Sequence, residues 1–333
     1  LIKILEGKAK VWIVTGDYIK NLDSLPKVNR GLINIRYYQK GKDRNPGTHL
    51  HFVPSNTKLG SLLTTRGCPF HCIFCHNSWR GLPVRMNSAK RIIEEMKELQ
   101  DKYNTEAIFF MDDDFLFSKS RVLEFCRLYK EARLKVIWGC QARVTSLGLE
   151  CLKELKETNC KQITFGIESG NQRVLNFLNK KVTVQQNIEA IKCCKRNGIT
   201  LDASFMIGIT TETIDELKGT VNLIKTYKPD LVNMKIFTPM PGTPVFNYCV
   251  EKGFFKKPQT LEEWAIWAGD MLTPEHNTSN IPDEVLTKTI QKMEMEGFYK
   301  NKFKRFIYWM KAGEYRYILK SARRIFEIRR GVF

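Results

Sequence analysis

The chain has 333 residues, of which 43% are apolar and 27% are charged, a balance that is enough to bury a large core and excludes a mainly disordered chain. It contains no uncharged apolar run of about 18 residues, and its first residues lack the long apolar stretch of a signal peptide. We therefore expect a cytoplasmic protein. The formal net charge of +19 predicts attraction to nucleic acid, anionic lipid or phosphorylated substrates, without choosing among them.

Six short apolar runs predict β-strands, and amphipathic helical stretches separate them. The predicted strands are residues 61–65, 107–111, 135–138, 162–165, 203–207 and 231–237. Six strand-then-helix units in succession predict an α/β fold with a parallel sheet and right-handed crossovers. Because there are six units rather than eight, we expect an open, partial (β/α)6 barrel.

The barrel is predicted to occupy residues 59–253. Residues 1–58 are less regular and are interpreted as an N-terminal linker or the end of an upstream domain, since the chain opens on Leu1 inside an apolar segment. Residues 254–333 are predicted to form a helical, basic C-terminal extension.

Three of the ten cysteines crowd into residues 68–75, and the others are scattered singly. This pattern excludes a small secreted disulfide scaffold. We expect scattered cysteines such as Cys126, Cys151, Cys160 and Cys249 to be small buried apolar residues.

Cys68, Cys72 and Cys75 directly follow the first predicted strand with the spacing C-x3-C-x2-C. Three thiolates can ligate three irons of a cubane cluster and leave the fourth iron open for an outside ligand. One alternative is a zinc site with His71 or His76 as the fourth ligand, although structural zinc sites generally present two short-spaced pairs of ligands. The other alternative is that the three thiols are unpaired and bind no metal.

Residues 64–75, Thr-Thr-Arg-Gly-Cys-Pro-Phe-His-Cys-Ile-Phe-Cys, closely resemble the signature of the radical S-adenosylmethionine (SAM) superfamily, and the similarity extends to Gly242. The resemblance implies a 4Fe-4S cluster on the three cysteines, with the amino and carboxylate groups of SAM on the open iron. An electron donor such as flavodoxin or ferredoxin would then drive cleavage of SAM to methionine and a 5'-deoxyadenosyl radical.

Polar residues and glycines follow the predicted strands, where (β/α) barrels carry their chemistry, and the resemblance implies that they contact SAM. Phe74 matches an aromatic position whose neighbourhood contacts adenine. The triplet 112–114, Asp112, Asp113 and Asp114, lies where the superfamily contacts the methionine ammonium group, although many relatives have Gly-Gly-Glu there. A negative charge suits that cation.

Arg143, Glu168 and Gly208 follow the third, fourth and fifth predicted strands. Arg143 and Glu168 match positions that reach the carboxylate or ribose of SAM, which an arginine fork and a carboxylate suit. Gly208 matches a segment whose backbone lies beside adenine, and glycine permits that close approach.

Residues 21–26, 110–115, 166–170 and 238–244 together resemble the cobalamin-associated branch of the superfamily. Its members usually carry an upstream cobalamin-binding domain, and they include methylases of unactivated carbon or phosphorus and ring-forming enzymes. The chain has no Asp-x-His-x-x-Gly motif, so either it is a fragment or it works without cobalamin.

Residues 298–333 hold eleven Lys or Arg against Glu314 and Glu327, interleaved with aromatic residues. This tail suits an anionic membrane surface, RNA, or packing across the barrel by its aromatic residues. The leading hypothesis is a methyltransferase-like or cyclase-like radical SAM enzyme that methylates or rearranges a lipid-like or small-molecule substrate. The alternative is a non-catalytic iron-sulfur or zinc module that docks on nucleic acid through the tail.

Overall fold

The computed structural model describes residues 18–39, 50, 51, 53, 57–76, 81–146, 148, 151–267 and 277–300. Six parallel strands form one sheet, and a two-stranded antiparallel ribbon lies apart from it. The sheet contains, in spatial order, β1 (Leu59–Leu62), β4 (Ala107–Phe110), β5 (Ile137–Ala142), β6 (Cys160–Glu168), β7 (Thr200–Ile207) and β8 (Leu231–Ile236), and the ribbon contains β2 (Thr65–Arg66) and β3 (Arg85–Met86).

One short helix precedes the first strand, and the other helices connect successive strands or follow the last one. They are α1 (Ile35–Tyr38), α2 (Ala89–Tyr103), α3 (Lys119–Glu131), α4 (Leu152–Glu157), α5 (Gln172–Phe177), α6 (Val184–Arg196), α7 (Ile214–Tyr227), α8 (Pro244–Glu251), α9 (Leu261–Trp267) and α10 (Asp283–Lys300). Single-turn 3-10 helices at Leu22–Ser24 and Arg30–Leu32 lie in the predicted linker.

The spatial order of the six strands follows their order in the chain, and every neighbouring pair is parallel. This arrangement confirms the predicted α/β fold with six parallel strands in chain order. Strand β1 differs from its prediction because it ends at Leu62, before Thr64 and Thr65. The amides of these two threonines donate to the carboxylate of Asp112, and Thr65 belongs to the separate ribbon.

The main core lies between the sheet and the helices. Predicted apolar stripes such as Ile92, Met96 and Leu99 of α2 are buried there, which places α2 against the sheet. Four buried aromatic rings pack in the same layer. They are Phe110, Phe115, Phe125 and Trp138.

The scattered cysteines belong to these apolar layers. Cys126, Cys151 and Cys160 lie in the main core, and Cys249 lies in a smaller cluster beside the cysteine loop. The prediction that they are small buried residues is therefore confirmed.

The C-terminal helix α10 packs against β8. Leu286, Ile290 and Met293 are buried in the same core as the barrel strands. The division of the chain at residue 253 stays a prediction, and the basic tail beyond residue 300 lies outside the described residues. Among the described helices, none combines the length and the apolar character needed to cross a bilayer.

Candidate functional site

The cysteine loop, residues 68–75, follows the end of β1 and is held by two segments that follow other strands. Ile73 N donates to the carbonyl oxygen of Leu178 at 3.1 Å, and Val245 N donates to the carbonyl oxygen of Ile73 at 3.1 Å. The side chain of Asn179 donates to the carbonyl oxygen of His71 at 2.8 Å. The loop is therefore anchored to the segments after β6 and β8, which are remote in sequence.

The three thiols of the loop affect one another. Burial raises the pKa of the Cys75 thiol although part of this residue is exposed, and the neighbouring thiols of Cys72 and Cys68 raise it further. Burial also raises the pKa of Cys68, and the carboxylates of Asp114 and Asp113 add to this effect. Burial and the neighbouring carboxylates therefore disfavour the thiolate form of these two cysteines.

Among the described residues, no three His, Cys, Asp or Glu side chains are arranged to hold a single metal ion. The zinc alternative, with His71 or His76 as fourth ligand, therefore gains no support from the geometry. A cubane cluster has a different requirement, because each of its three ligated irons takes one thiolate.

Asp112, the first residue of the predicted acidic triplet, is buried and has its oxygens occupied. Its Oδ1 accepts from Thr64 N at 2.5 Å and from Thr65 N at 2.7 Å, and its Oδ2 accepts from Thr64 Oγ1 at 2.5 Å. Asp112 thus fixes the path of the chain as it enters the cysteine loop.

Asp113 and Asp114 have different environments. Asp113 is exposed, and its charge acts on Cys68 and Cys75. Asp114 is buried, accepts from Ser146 Oγ, and burial raises its pKa to about 6. Of the three carboxylates, Asp113 is therefore the one that is both accessible and close to the thiols.

The guanidinium of Arg143 holds the cysteine loop from the β5 side. Its Cζ lies 3.6 Å from the centre of the Phe70 ring, and its Nη1 donates to Cys72 Sγ at 3.4 Å. Its Nη2 donates to the carbonyl oxygen of Lys180. Two nitrogens of the predicted carboxylate-binding fork are thus engaged within the protein, and Nε has no hydrogen-bond partner among the described residues.

Glu168 forms a buried ion pair with Lys180, whose Nζ lies 2.6 Å from Glu168 Oε1. Gly166 makes room for this pair, because a Cβ at residue 166 would lie 2.9 Å from Lys180 Nζ. The same ammonium lies 5.7 Å from the centre of the Phe74 ring. Sequence reasoning did not find Lys180, since nothing local indicates that it pairs with a strand end twelve residues earlier.

Gly208 directly follows β7 and has a φ of 72°, a left-handed conformation that favours glycine. Both Gly208 N and Ile209 N donate to Oε2 of the buried Glu212, at 2.7 and 3.1 Å, and burial raises the pKa of Glu212 to about 7. Leu286 of α10 covers one side of Gly208, because a Cβ there would lie 2.9 Å from Leu286 Cδ1. The sequence places Glu212 in the same segment but does not reveal that it holds the turn.

Phe74 and Ile73 pack on an apolar cluster at the carboxyl ends of the last strands. Its buried members are Val174, Leu178, Ile209, Phe237, Val245 and Cys249. The cysteine loop and the segments after β7 and β8 thus share one apolar floor. The structure brings the predicted site residues to the same end of the barrel, with Asp112 and Arg143 engaged in holding the loop.

The arrangement matches a known family and several known proteins. The family model of the Radical SAM superfamily matches residues 62–224. An uncharacterized methyltransferase of Pyrococcus horikoshii is 32% identical over 246 residues, which cover 66% of this chain and 52% of that protein. An anaerobic magnesium-protoporphyrin IX monomethyl ester cyclase of Rubrivivax gelatinosus is 28% identical and covers 60% of this chain and 37% of that protein.

Among solved structures, the radical SAM methyltransferase TsrM of Kitasatospora setae, with cobalamin and a 4Fe-4S cluster bound, superimposes with a TM-score of 0.54 at 16% identity. The match covers 59% of this chain and 40% of the other. It shows a shared fold. The chain spans about half or less of the length of these relatives.

Proposed function

We propose that this chain contains the catalytic core of an enzyme that reductively cleaves SAM at a 4Fe-4S cluster on Cys68, Cys72 and Cys75, because residues 62–224 match the family model of the Radical SAM superfamily. The observation that carries this proposal is the anchored cysteine loop. Its three thiols interact beside the exposed carboxylate of Asp113, at the carboxyl end of the barrel. When bound, the cluster and SAM supply a radical that abstracts hydrogen from the substrate.

The residues at the site fit these two groups. Each of the three thiols in the anchored loop can ligate one iron of the cluster, and bound iron favours thiolates. The carboxylate of Asp113 suits the methionine ammonium group by Coulomb attraction. The apolar floor beneath Phe74 suits the flat face of adenine.

The chain's own residues position these groups. Arg143 holds Cys72 and the Phe70 ring, and Asp112 holds the entry to the loop. Glu212 fixes the turn at Gly208, so that the backbone after β7 keeps one path beside the floor. Glu168 and Lys180 lie next to Phe74, and their opposite charges compensate each other in the ion pair.

For the whole protein we propose methylation or carbon-skeleton change of a lipid-like or small-molecule substrate. This is supported by the relatives, which include a methyltransferase and a cyclase. The Kitasatospora setae neighbour binds cobalamin, and a cobalamin domain for this protein would lie outside the present chain. An electron donor of the flavodoxin or ferredoxin kind would supply the electron.

The test is anaerobic reconstitution of the chain with iron and sulfide, followed by SAM and dithionite, with 5'-deoxyadenosine quantified by mass spectrometry. We expect the wild type to form 5'-deoxyadenosine and Cys72→Ala to form none. Cys126→Ala removes a buried thiol of the main core and is expected to keep the activity. The proposal would be contradicted if the four-iron cluster is loaded, its spectrum does not change when SAM is added, and no 5'-deoxyadenosine is formed.

A further inference from the structure

Side chains of β8 alternate between the helix layer and the barrel interior. Met234 and Ile236 belong to the core between the sheet and the helices. Because successive side chains of a strand point to opposite faces, Asn233 and Lys235 face the interior. A lysine on the inner face of the last strand is therefore directed into the space that the strand-end residues enclose.

The strand register shows how high in the barrel this lysine lies. Gly166 of β6 pairs with Ser204 of β7, which pairs with Asn233 of β8. Lys235 pairs with Met206, one inner-face step closer to the carboxyl ends. Since one such step is about 7 Å, Lys235 lies at the level of the candidate site and on the side of the last strand.

Lys235 is partly buried, and its ammonium makes no hydrogen bond or ion pair with any residue that the structure describes. Lys180 gives the contrast, because it is buried at the same end of the barrel and is paired with Glu168 at 2.6 Å. An ammonium that has no partner among the described residues can pair with the anionic group of a ligand. The neighbouring inner-face side chains, Ser204 and Asn233, are hydrogen-bond donors and carry no charge.

Apolar surface lies next to this cation and at the other edge of the open sheet. Met206, beside Lys235, packs at the border of the apolar floor. Leu63, which directly follows β1 at the opposite edge, exposes 60% of its surface. One lysine with apolar neighbours suits a ligand that has a single anionic group and an apolar body.

Building on the proposed function, we propose that Lys235 binds the anionic group, a carboxylate or a phosphate, of a substrate whose remaining part is apolar. Lys235 then determines specificity and has no part in binding or cleaving SAM. Decanoate, decyl phosphate and 1-decanol are suitable probes, because they share one apolar chain and differ in the head group.

The experiment measures binding of each probe to the reconstituted, cluster-loaded chain by equilibrium dialysis below the micelle concentration. The variants are Lys235→Met, which removes the charge at similar length, and Lys235→Arg, which keeps it. Lys218→Met is the matched control, because Lys218 is an exposed lysine of α7 paired only with Asp215 at the surface. It lowers the net charge by the same amount as Lys235→Met.

We expect Lys235→Met to weaken binding of decanoate or of decyl phosphate by about tenfold or more, as loss of a charge-assisted hydrogen bond predicts. The probe that is affected identifies the head group. Lys235→Arg and Lys218→Met are expected to stay within about threefold of wild type, and 1-decanol is expected to bind all variants alike.

Substrate-free cleavage of SAM distinguishes this inference from the proposed function. If the wild type makes 5'-deoxyadenosine and Lys235→Met makes the same amount, the cleavage site is intact and the probe data decide the role of Lys235. Equal binding of both anions by wild type and Lys235→Met would overturn the inference. An equally large loss of SAM affinity in Lys235→Met would also overturn it, because Lys235 would then contribute to binding SAM. Failure of the wild type to cleave SAM would count against the proposed function alone.

Discussion

At the scale of single residues, Asp112 and Asp113 are adjacent carboxylates in very different environments. Asp112 is buried and accepts three hydrogen bonds from Thr64 and Thr65, whereas Asp113 is exposed. Asp112→Ala leaves these buried donors unpaired, so we expect the free energy of unfolding to fall by about 3 kcal/mol. Asp113→Ala is expected to change it by less than about 0.5 kcal/mol.

In binding of SAM, Asp113→Ala is expected to have the larger effect of the two variants. Loss of the Asp113 carboxylate removes the charge proposed to attract the methionine ammonium group, so SAM should bind at least about tenfold more weakly. Urea unfolding and equilibrium dialysis of SAM on the reconstituted protein measure the two effects. Unchanged SAM binding in Asp113→Ala, or a fully stable Asp112→Ala, would contradict these assignments.

Glu212 provides a pH-dependent prediction. Burial raises its pKa from 4.5 to about 7, so the folded protein keeps its proton at pH values where the unfolded chain has lost it. The stability associated with protonated Glu212 is complete below about pH 4.5 and is lost as the pH rises to about 7. A shift of this size corresponds to about 3 kcal/mol.

Glu212→Gln keeps an oxygen that can accept from Gly208 N and Ile209 N, and it cannot ionise. Between these pH values we expect the wild type to lose about 3 kcal/mol of unfolding free energy relative to the variant. Urea unfolding of both proteins at a series of pH values measures the difference. Parallel pH profiles would show that Glu212 does not titrate in this range.

At the scale of elements, the sequence predicted well what depends on local periodicity. The number and order of the sheet strands, the apolar stripe of α2 and the cysteine loop after β1 follow from patterns within short windows. The bounds of β5 were wrong, since this strand covers Ile137–Ala142 and the prediction covered residues 135–138. The end of β1 was wrong because Asp112, about fifty residues away, takes the amides of Thr64 and Thr65. Lys180 and Glu212 were missed for a similar reason, since their roles depend on tertiary contacts.

The contact between the loop after β6 and helix α7 depends on two glycines with different tolerance. A Cβ at Gly170 would lie 2.8 Å from the carbonyl oxygen of Gly219 and 2.8 Å from Thr220 Cα, both of which are backbone atoms. A Cβ at Gly219 would lie 3.7 Å from its nearest contact, Gly170 O, which is an ordinary distance. The two alanine variants are therefore expected to have opposite effects.

We expect Gly170→Ala to destabilise the protein by about 1–3 kcal/mol, because backbone must shift to accommodate the new methyl group. Gly219→Ala lies inside helix α7 and is expected to stabilise it by up to about 1 kcal/mol. Urea unfolding of both variants tests the pair. The same sign for both would show that α7 and the loop are not packed as described.

At the scale of the whole molecule, helix α10 packs in the same core as the barrel strands. It also contacts the turn at Gly208 in the candidate site. Leu286 of α10 is fully buried and lies against Gly208, whose amide is held by Glu212. The barrel strands were predictable from the sequence, but this contact was not, because the separation of α10 from Gly208 along the chain hides it. A substitution in α10 that removes this contact should therefore alter the turn that follows β7.

Leu286→Ala tests this coupling. Loss of the buried side chain is expected to lower the free energy of unfolding by about 2–5 kcal/mol. Hydrogen exchange followed by mass spectrometry should show faster exchange both in α10 and in peptides covering the turn after β7, because that turn loses the side chain that covers it. Lys288→Ala is the matched control, since Lys288 is an exposed residue of the same helix, and its exchange should resemble the wild type. Faster exchange confined to α10 would mean that the helix opens independently, and that the barrel holds the Gly208 turn without it.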